Sequence, residues 1–175
     1  MATFSGVHGT CQDLAIKVQK DGFLIPTHPV GYSMFGNGAY FYLDSADGRI
    51  AACKWAKDHR NCDNNCALLH AQIEYNEAYV IKWTQTIESK VQERIVTLER
   101  STQQPLCDKD KNIVRSKMLT RMIQASKKSV HMILVEFFKI AYACPPAKHR
   151  CVEGCVVLSG AMLPKPPYRQ EVCHE

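Results

Sequence analysis

The chain has 175 residues, of which 46% are hydrophobic and 22% charged, with a formal net charge of +5 and a sequence pI near 8.7. This is ordinary globular composition, and the length suits one domain over residues 1–175 with a sizeable core. No apolar run is long enough to cross a membrane, and no dense Lys/Arg run indicates nucleic-acid binding.

The first quarter of the chain predicts short strands around one helix. Residues 4–8 favour a buried strand, and residues 13–20 favour a helix that its first residue, an aspartate, can cap. Gly22 is expected to end this helix, because glycine adopts the left-handed conformation common at that position. Short strands are predicted over 23–25 and 40–43.

The rest of the chain predicts further short strands and a helical portion. A helix is expected over 45–59, and residues 84–128 are expected to form a helical insertion because apolar residues recur there at helical spacing. The other predicted strands are 67–73, 78–83, 130–142 and 155–158. Residues 67–83 alternatively form one long bent strand, and a helix is the alternative for 130–142. Short strands without regular strand–helix alternation predict an α+β domain.

Residues 31–42 form a segment in which three glycines and Asn37 lie among five aromatic residues. Glycine allows the backbone to approach a ligand closely, and aromatic rings offer flat faces for stacking. The segment therefore predicts a loop and a short strand that hold a flat ring against exposed backbone. Upstream, His8-Gly9-Thr10 ends the first predicted strand, where a histidine side chain can bond a ligand while the next backbone stays open.

In order and spacing, His8-Gly9-Thr10, Gly22-Phe23 and residues 31–42 resemble the NAD-binding half of a poly(ADP-ribose) polymerase catalytic domain. The resemblance is specific over residues 4–45 and looser beyond them. It implies an ADP-ribosyltransferase-like fold, in which two small, packed, mostly antiparallel sheets with peripheral helices hold NAD in a cleft.

The resemblance also implies roles for individual residues. His8 would bond the 2′-hydroxyl of the adenosine-side ribose, Gly9 the nicotinamide carboxamide through its backbone, and Thr10 the nicotinamide or its ribose. Tyr40 would stack under nicotinamide. The family's second stacking aromatic is replaced here by Ala51 or Ala52, and Trp55 follows about one helical turn later. The remaining expected NAD contacts are Tyr32, Gly38 and Trp55.

The third catalytic residue in this family is a carboxylate late in the chain, at the start of a strand. Cleavage of the N-glycosidic bond creates an oxocarbenium-like centre, which a carboxylate on the ribose 2′-hydroxyl stabilises. Glu153 matches that pattern, since an apolar strand follows it, and Glu136 is the alternative. The chemistry needs NAD as co-substrate and no metal.

The chain contains nine cysteines. Because the N-terminus lacks a signal-peptide pattern, we expect reduced thiols and an intracellular, cytoplasmic or nuclear protein. Buried thiols are the ordinary interpretation. Zinc is an alternative at His59, Cys62, Cys66 and His70, and a looser group is Cys144, Cys151 and Cys155, but neither has a paired Cys-x-x-Cys signature.

The leading functional hypothesis is an ADP-ribosyltransferase that transfers ADP-ribose to a macromolecule, with a protein as the expected acceptor. Mono-transfer is at least as well supported as chain elongation. A catalytically silent relative that binds NAD, ADP-ribose or a protein is the alternative. An RNA 2′-phosphotransferase, which also opens with His-Gly-Thr, ranks last because the second histidine it needs is absent near Tyr40. The sequence does not indicate an oligomeric state.

Overall fold

The computed structural model describes residues 1–25, 34–60, 62, 65–140 and 150–173. These residues contain four helices, α1 (Gln12–Asp21), α2 (Ala46–Arg60), α3 (Gln85–Thr102) and α4 (Asp108–Ser126). The strands are β1 (Ala2–Cys11), β2 (Ala39–Leu43), β3 (Cys66–Tyr75), β4 (Val80–Trp83), β5 (Met132–Ile140), β6 (Arg150–Val157) and β7 (Arg169–Val172). Short 3-10 helices lie at Glu77–Tyr79 and Gly160–Met162.

The described strands form one seven-stranded sheet in the order β4-β5-β6-β2-β1-β3-β7. Neighbours are antiparallel, apart from the parallel pair β4 and β5. The mixed content of helices and strands is thus confirmed, but the expectation of two separate sheets is wrong for these residues. The reason is β2, which pairs with β1 on one side and with β6 on the other and so joins both halves.

The structure differs from two of the strand and helix predictions. Residues 23–25 form no strand; instead Phe23 is a buried core residue directly after α1. Asp13 does not cap α1, because the N-cap is Cys11 and no side chain bonds the helix end there. Gly22 does end α1, with φ of 80°. Residues 84–128 contain α3 and α4, as their apolar spacing predicted.

The sheet is covered on both faces, and side chains alternate between them. The face covered by α1, here the α1 face, holds a core cluster that includes Phe4, Ala15, Phe41 and Leu69. The opposite face, here the helical face, packs against α2, α3 and α4. Its buried side chains are Val7 with Ala52 near α2, and Trp83, Val91, Ile95 and Leu119 near α3 and α4. Coverage of both faces explains why several strands are apolar throughout.

Candidate functional site

The strands β1 and β2 stop pairing at His8. Their ladder ends at the pair Val7–Tyr42, although β1 runs on to Cys11. His8 is the first residue beyond the ladder, and its Nδ1 lies 2.8 Å from the carbonyl oxygen of Tyr40. Because a carbonyl only accepts, Nδ1 must carry the proton, and Nε2 is then an acceptor in the neutral ring. The side chain thus bridges two strands at the point where they part.

The His8 ring lies among aromatic side chains on the α1 face. Its centroid is 5.1 Å from that of Phe23, at an interplanar angle of 83°, and 5.8 Å from that of Phe41. Phe41 belongs to the core cluster of this face. The ring is half-buried, so one side is held by the core while the group stays partly accessible.

Gly9 and Thr10 continue β1 beyond His8. A Cβ on Gly9 would lie 1.8 Å from the carbonyl oxygen of Ala52, so this glycine lets α2 pack directly on the strand. Packing against α2 therefore explains why this residue is a glycine. The expected bond to the nicotinamide carboxamide would use the backbone of Gly9 and is a separate matter. Thr10 is 2% exposed and lies within β1, opposite Ala67 of β3.

Tyr40 lies on the other side of the sheet from the His8 ring. Its ring packs against the cluster on the helical face, beside Phe35. Its hydroxyl donates to the carbonyl of Gly36 at 2.8 Å and accepts from the backbone nitrogen of Phe35 at 3.0 Å. The side chain therefore holds the turn before β2, and the backbone carbonyl of Tyr40 contacts His8.

Glu153 shares the α1 face with His8. It is exposed on β6, and alternation along that strand places it on the same side as the buried Cys155, two residues on. Only β2 separates β6 from β1. Since Cys155 pairs with Phe41, ideal sheet geometry puts the Cα atoms of His8 and Glu153 about 12 Å apart.

Glu136, the alternative carboxylate, has a structural partner. Its Oε2 accepts a hydrogen bond from the backbone nitrogen of Gln85, the first residue of α3, at 3.2 Å. A carboxylate at a helix N-terminus satisfies an unpaired N–H and interacts favourably with the helix dipole. This contact explains why an acidic residue lies within the apolar strand β5, without a catalytic role.

The other expected NAD contacts are dispersed. Gly38 is buried, and a Cβ there would lie 2.5 Å from Cγ1 of Val156, so it packs the turn onto β6. Trp55 is half-buried on α2, the helix that packs with Val7 on the helical face. Tyr32 lies outside the described residues.

The expectation that all cysteines are reduced thiols is wrong for four of them. Disulfides join Cys11 to Cys62 and Cys53 to Cys173, across 51 and 120 residues of sequence. Such pairs are invisible in the sequence because only the fold brings the residues together. Cys155 is a buried thiol, and burial raises its pKa well above the usual value.

The zinc alternative loses a ligand, since Cys62 is bonded to Cys11. In the part of the chain that the structure describes, no group of three or more His, Cys, Asp or Glu side chains is arranged to hold a metal ion. Cys144 of the second group lies outside the described residues.

Sequence reasoning missed a charged cluster on the helical face, here the Asp44 cluster (Asp44, Arg49, His70, Arg169 and Glu171). His70 Nδ1 lies 2.9 Å from Asp44 and its Nε2 lies 3.0 Å from Glu171, while Arg49 donates to Asp44 at 2.8 Å. Burial alone would raise the pKa of Asp44, but the bonds from His70 and Arg49 outweigh it and lower that pKa. The members come from α2, β3, β7 and the residue that follows β2, so no local sequence motif contains them.

A cavity of about 490 Å³ lies at the opposite end of β1 from His8. It is lined by Tyr75, whose strand partner is Ala2, and by the stacked rings of Tyr79 and His131, whose centroids are 4.9 Å apart. His8 lies six positions after Ala2 on β1, or about 20 Å along the strand. This cavity therefore plays no part in the candidate site.

Comparisons of the chain with protein-family models, with curated proteins and with solved structures find no match. Among the described residues, no helix is both long and apolar enough to cross a membrane.

Proposed function

We propose that this protein is an NAD-dependent ADP-ribosyltransferase that transfers ADP-ribose to a protein acceptor and releases nicotinamide. The observation that carries the proposal is the arrangement of His8 and Glu153, which lie on the same face of the sheet with one strand between them. His8 also lies where β1 and β2 separate. On the side of β1 that faces β2, Gly9 therefore lies beyond the last strand pair, Val7–Tyr42. The resemblance supplies the chemistry, and the arrangement of these strands is consistent with it.

In the proposed reaction the bond between the ribose C1′ and the nicotinamide nitrogen breaks, and its electron pair neutralises the pyridinium. Positive charge then develops on the ribose. The Glu153 carboxylate, hydrogen-bonded to the 2′-hydroxyl, stabilises that charge and orients the acceptor. The acceptor's nucleophilic atom bonds to C1′ as its proton passes to the Glu153 carboxylate. His8 binds the adenosine-side ribose, with Nε2 accepting from a hydroxyl while Nδ1 stays bonded to Tyr40.

The test is incubation of the purified chain with labelled NAD, alone and with cell lysate, followed by measurement of free nicotinamide and of protein-bound label. We expect Glu153→Gln to abolish transfer, because the neutral amide does not stabilise the oxocarbenium charge, and to leave NAD binding within about threefold. His8→Ala should weaken binding itself.

Glu136→Gln is the matched control, since it makes the same change in a carboxylate that lies on β5 and bonds the N-terminus of α3. It should retain transfer. Loss of transfer in Glu136→Gln, with activity preserved in Glu153→Gln, would overturn the assignment of the catalytic glutamate.

A second candidate function is a catalytically silent module that binds NAD, ADP-ribose or a protein. The placement of Tyr40 favours it, because its ring packs against the helical face and its hydroxyl is used by the turn at Phe35 and Gly36. This candidate predicts that calorimetry detects NAD or ADP-ribose binding while no nicotinamide is released. Nicotinamide release that depends on Glu153 would eliminate it.

A further inference from the structure

Two aromatic residues, Phe23 and Tyr168, connect His8 to the C-terminal segment. The ring of Phe23 meets the His8 ring edge-on, at a centroid distance of 5.1 Å, and meets the ring of Tyr168 at 5.0 Å and 62°. Phe23 also contacts Phe41 at 4.9 Å. Edge-to-face aromatic pairs of this kind have a preferred geometry in addition to their buried area. The three rings His8, Phe23 and Tyr168 therefore form a continuous row.

The far end of this row is anchored by polar contacts. Tyr168 is 6% exposed, and its hydroxyl donates to the carbonyl of Pro164 at 2.5 Å. Gln19 of α1 holds the backbone of Tyr168 from both sides, since its Oε1 accepts from the nitrogen at 2.9 Å and its Nε2 donates to the oxygen at 2.5 Å. Two hydrogen bonds from one amide leave Tyr168 little freedom to shift relative to α1.

The segment that carries Tyr168 is also fixed on its other side. β7 begins at the next residue and pairs with β3, where Arg169 lies opposite His70. The disulfide between Cys173 and Cys53 then ties the end of β7 to α2. The aromatic row thus rests on a segment that is attached to two other parts of the fold.

We propose that Phe23 and Tyr168 are positioning residues that set the orientation of the His8 imidazole. The hydrogen bond from Nδ1 to Tyr40 fixes one edge of the ring. A half-turn of the ring would replace Nδ1 by a carbon and lose that bond, and Phe23 occupies the space beside the ring that such a turn needs. Nε2 therefore keeps one direction, which is the property that a group recognising a ribose hydroxyl requires.

The experiment compares Phe23→Leu with Phe4→Leu. Both replace a phenylalanine by leucine in the same core cluster, but Phe4 lies four residues before His8 on β1, about 13 Å away. Three quantities are measured: the melting temperature, the ¹⁵N chemical shifts of the His8 imidazole, assigned with His8→Ala, and the Kd for NAD. The first reports stability, the second ring orientation and tautomer, and the third the site.

We expect the two leucine variants to melt at similarly lowered temperatures. Only Phe23→Leu should move the His8 nitrogen shifts toward an average of the two tautomers, and only it should weaken NAD binding, by about tenfold for one misdirected hydrogen bond. Unchanged His8 shifts in Phe23→Leu, or equal changes in both variants, would overturn the proposal.

A variant that keeps all three rings covers the case in which Phe23→Leu does not fold. Gln19→Leu removes both bonds that hold the backbone of Tyr168, so the Tyr168 and Phe23 rings gain freedom to shift against His8. It should move the His8 shifts in the same direction as Phe23→Leu by a smaller amount; no movement overturns the proposal. The NAD measurement alone rests on the proposed function. If the wild-type chain does not bind NAD while the His8 shifts respond as expected, the proposed function fails and the positioning role stands.

Discussion

Two polar side chains, Glu88 and His8, are held in contrasting ways. Glu88 is 1% exposed and lies under the helical layer, where it accepts hydrogen bonds from Trp83 at 3.1 Å, Gln92 at 2.7 Å and Arg115 at 2.8 Å. Burial alone would raise its pKa, but the bonds from these partners outweigh burial and lower the pKa. His8 is half-buried at the edge where two strands part.

Glu88 has the surroundings of a structural charge, whereas His8 has those of a group that can bind a ligand. A buried carboxylate with a full set of donors stabilises the packing of α3 on α4 and is closed to substrate. A histidine whose ring is held by a hydrogen bond to Tyr40 and by aromatic contacts, on a partly accessible edge, is suited to meet a ribose hydroxyl. Changes around Glu88 should therefore alter stability, and changes around His8 should alter binding.

The largest expected effect comes from Arg115→Met, which removes the cation from the buried pair. Breaking such a pair leaves an uncompensated charge and should lower the free energy of unfolding by about 3–5 kcal/mol. Urea denaturation measures the loss. Arg121→Met, at an exposed position on the same helix, should change it by less than about 0.5 kcal/mol. NAD binding should stay unchanged in both variants under folding conditions. A loss of binding in Arg115→Met would mean that the Glu88 pair affects the ligand site as well as stability.

The next effect comes from Gly9→Ala, within the candidate site itself. The new Cβ would lie 1.8 Å from the carbonyl oxygen of Ala52, so α2 must move, at a cost of about 2–3 kcal/mol in unfolding free energy. Gly160→Ala is the control, because a Cβ there meets nothing within 4 Å. Thermal melts that show equal stability for the two alanine variants would mean that α2 does not pack on β1 at Gly9.

The smallest effect concerns the Asp44 cluster and depends on pH. The folded-state pKa of Asp44 lies below its usual value of 3.8. The ion pairs therefore stabilise the fold above that pH, and their contribution is lost as the pH falls through the folded-state pKa. Asp44→Asn should cost about 1 kcal/mol at pH 7, after allowance for solvent screening, and the difference from wild type should vanish once the pH lies below the folded-state pKa of Asp44.

Denaturation curves for wild type and Asp44→Asn across this pH range test the prediction. Asp58→Asn, which changes an exposed acidic residue on α2, is the control. Its free energy of unfolding should equal that of the wild type at every pH. A stability difference for Asp44→Asn that persists at low pH would mean that the cluster acts through packing and not through charge.

Much of the secondary structure could be predicted because its causes are local. The apolar spacing over residues 84–128 corresponds to α3 and α4, and Gly22 ends α1 with a positive φ. The prediction of a strand at 23–25 was wrong. Phenylalanine is common in strands, but Phe23 is buried through contacts with His8 and Tyr168 and not through strand pairing. Those partners are distant in sequence, so no window around Phe23 contains them.

The residues of the candidate site are named by sequence motifs, but their arrangement is not. The sequence marks His8, Tyr40 and Glu153, and the structure places them on the neighbouring strands β1, β2 and β6. Strand alternation then separates the ring of Tyr40 from that of His8, since Phe41 contacts His8 and its neighbour faces the other way. A shift of one residue reverses the face of a side chain, and register is a property of pairing.

By itself the sequence determined most of the helices and strands, because propensity and glycine positions are local properties, and its motif spacing carries the resemblance from which the NAD contacts are expected. Only the tertiary structure decided that the described strands form one sheet, that Cys53 meets Cys173, and that the Phe23 ring contacts both His8 and Tyr168. Each of these depends on which distant segments come together. That choice is made by the burial of apolar surface and the pairing of backbone groups over the whole chain.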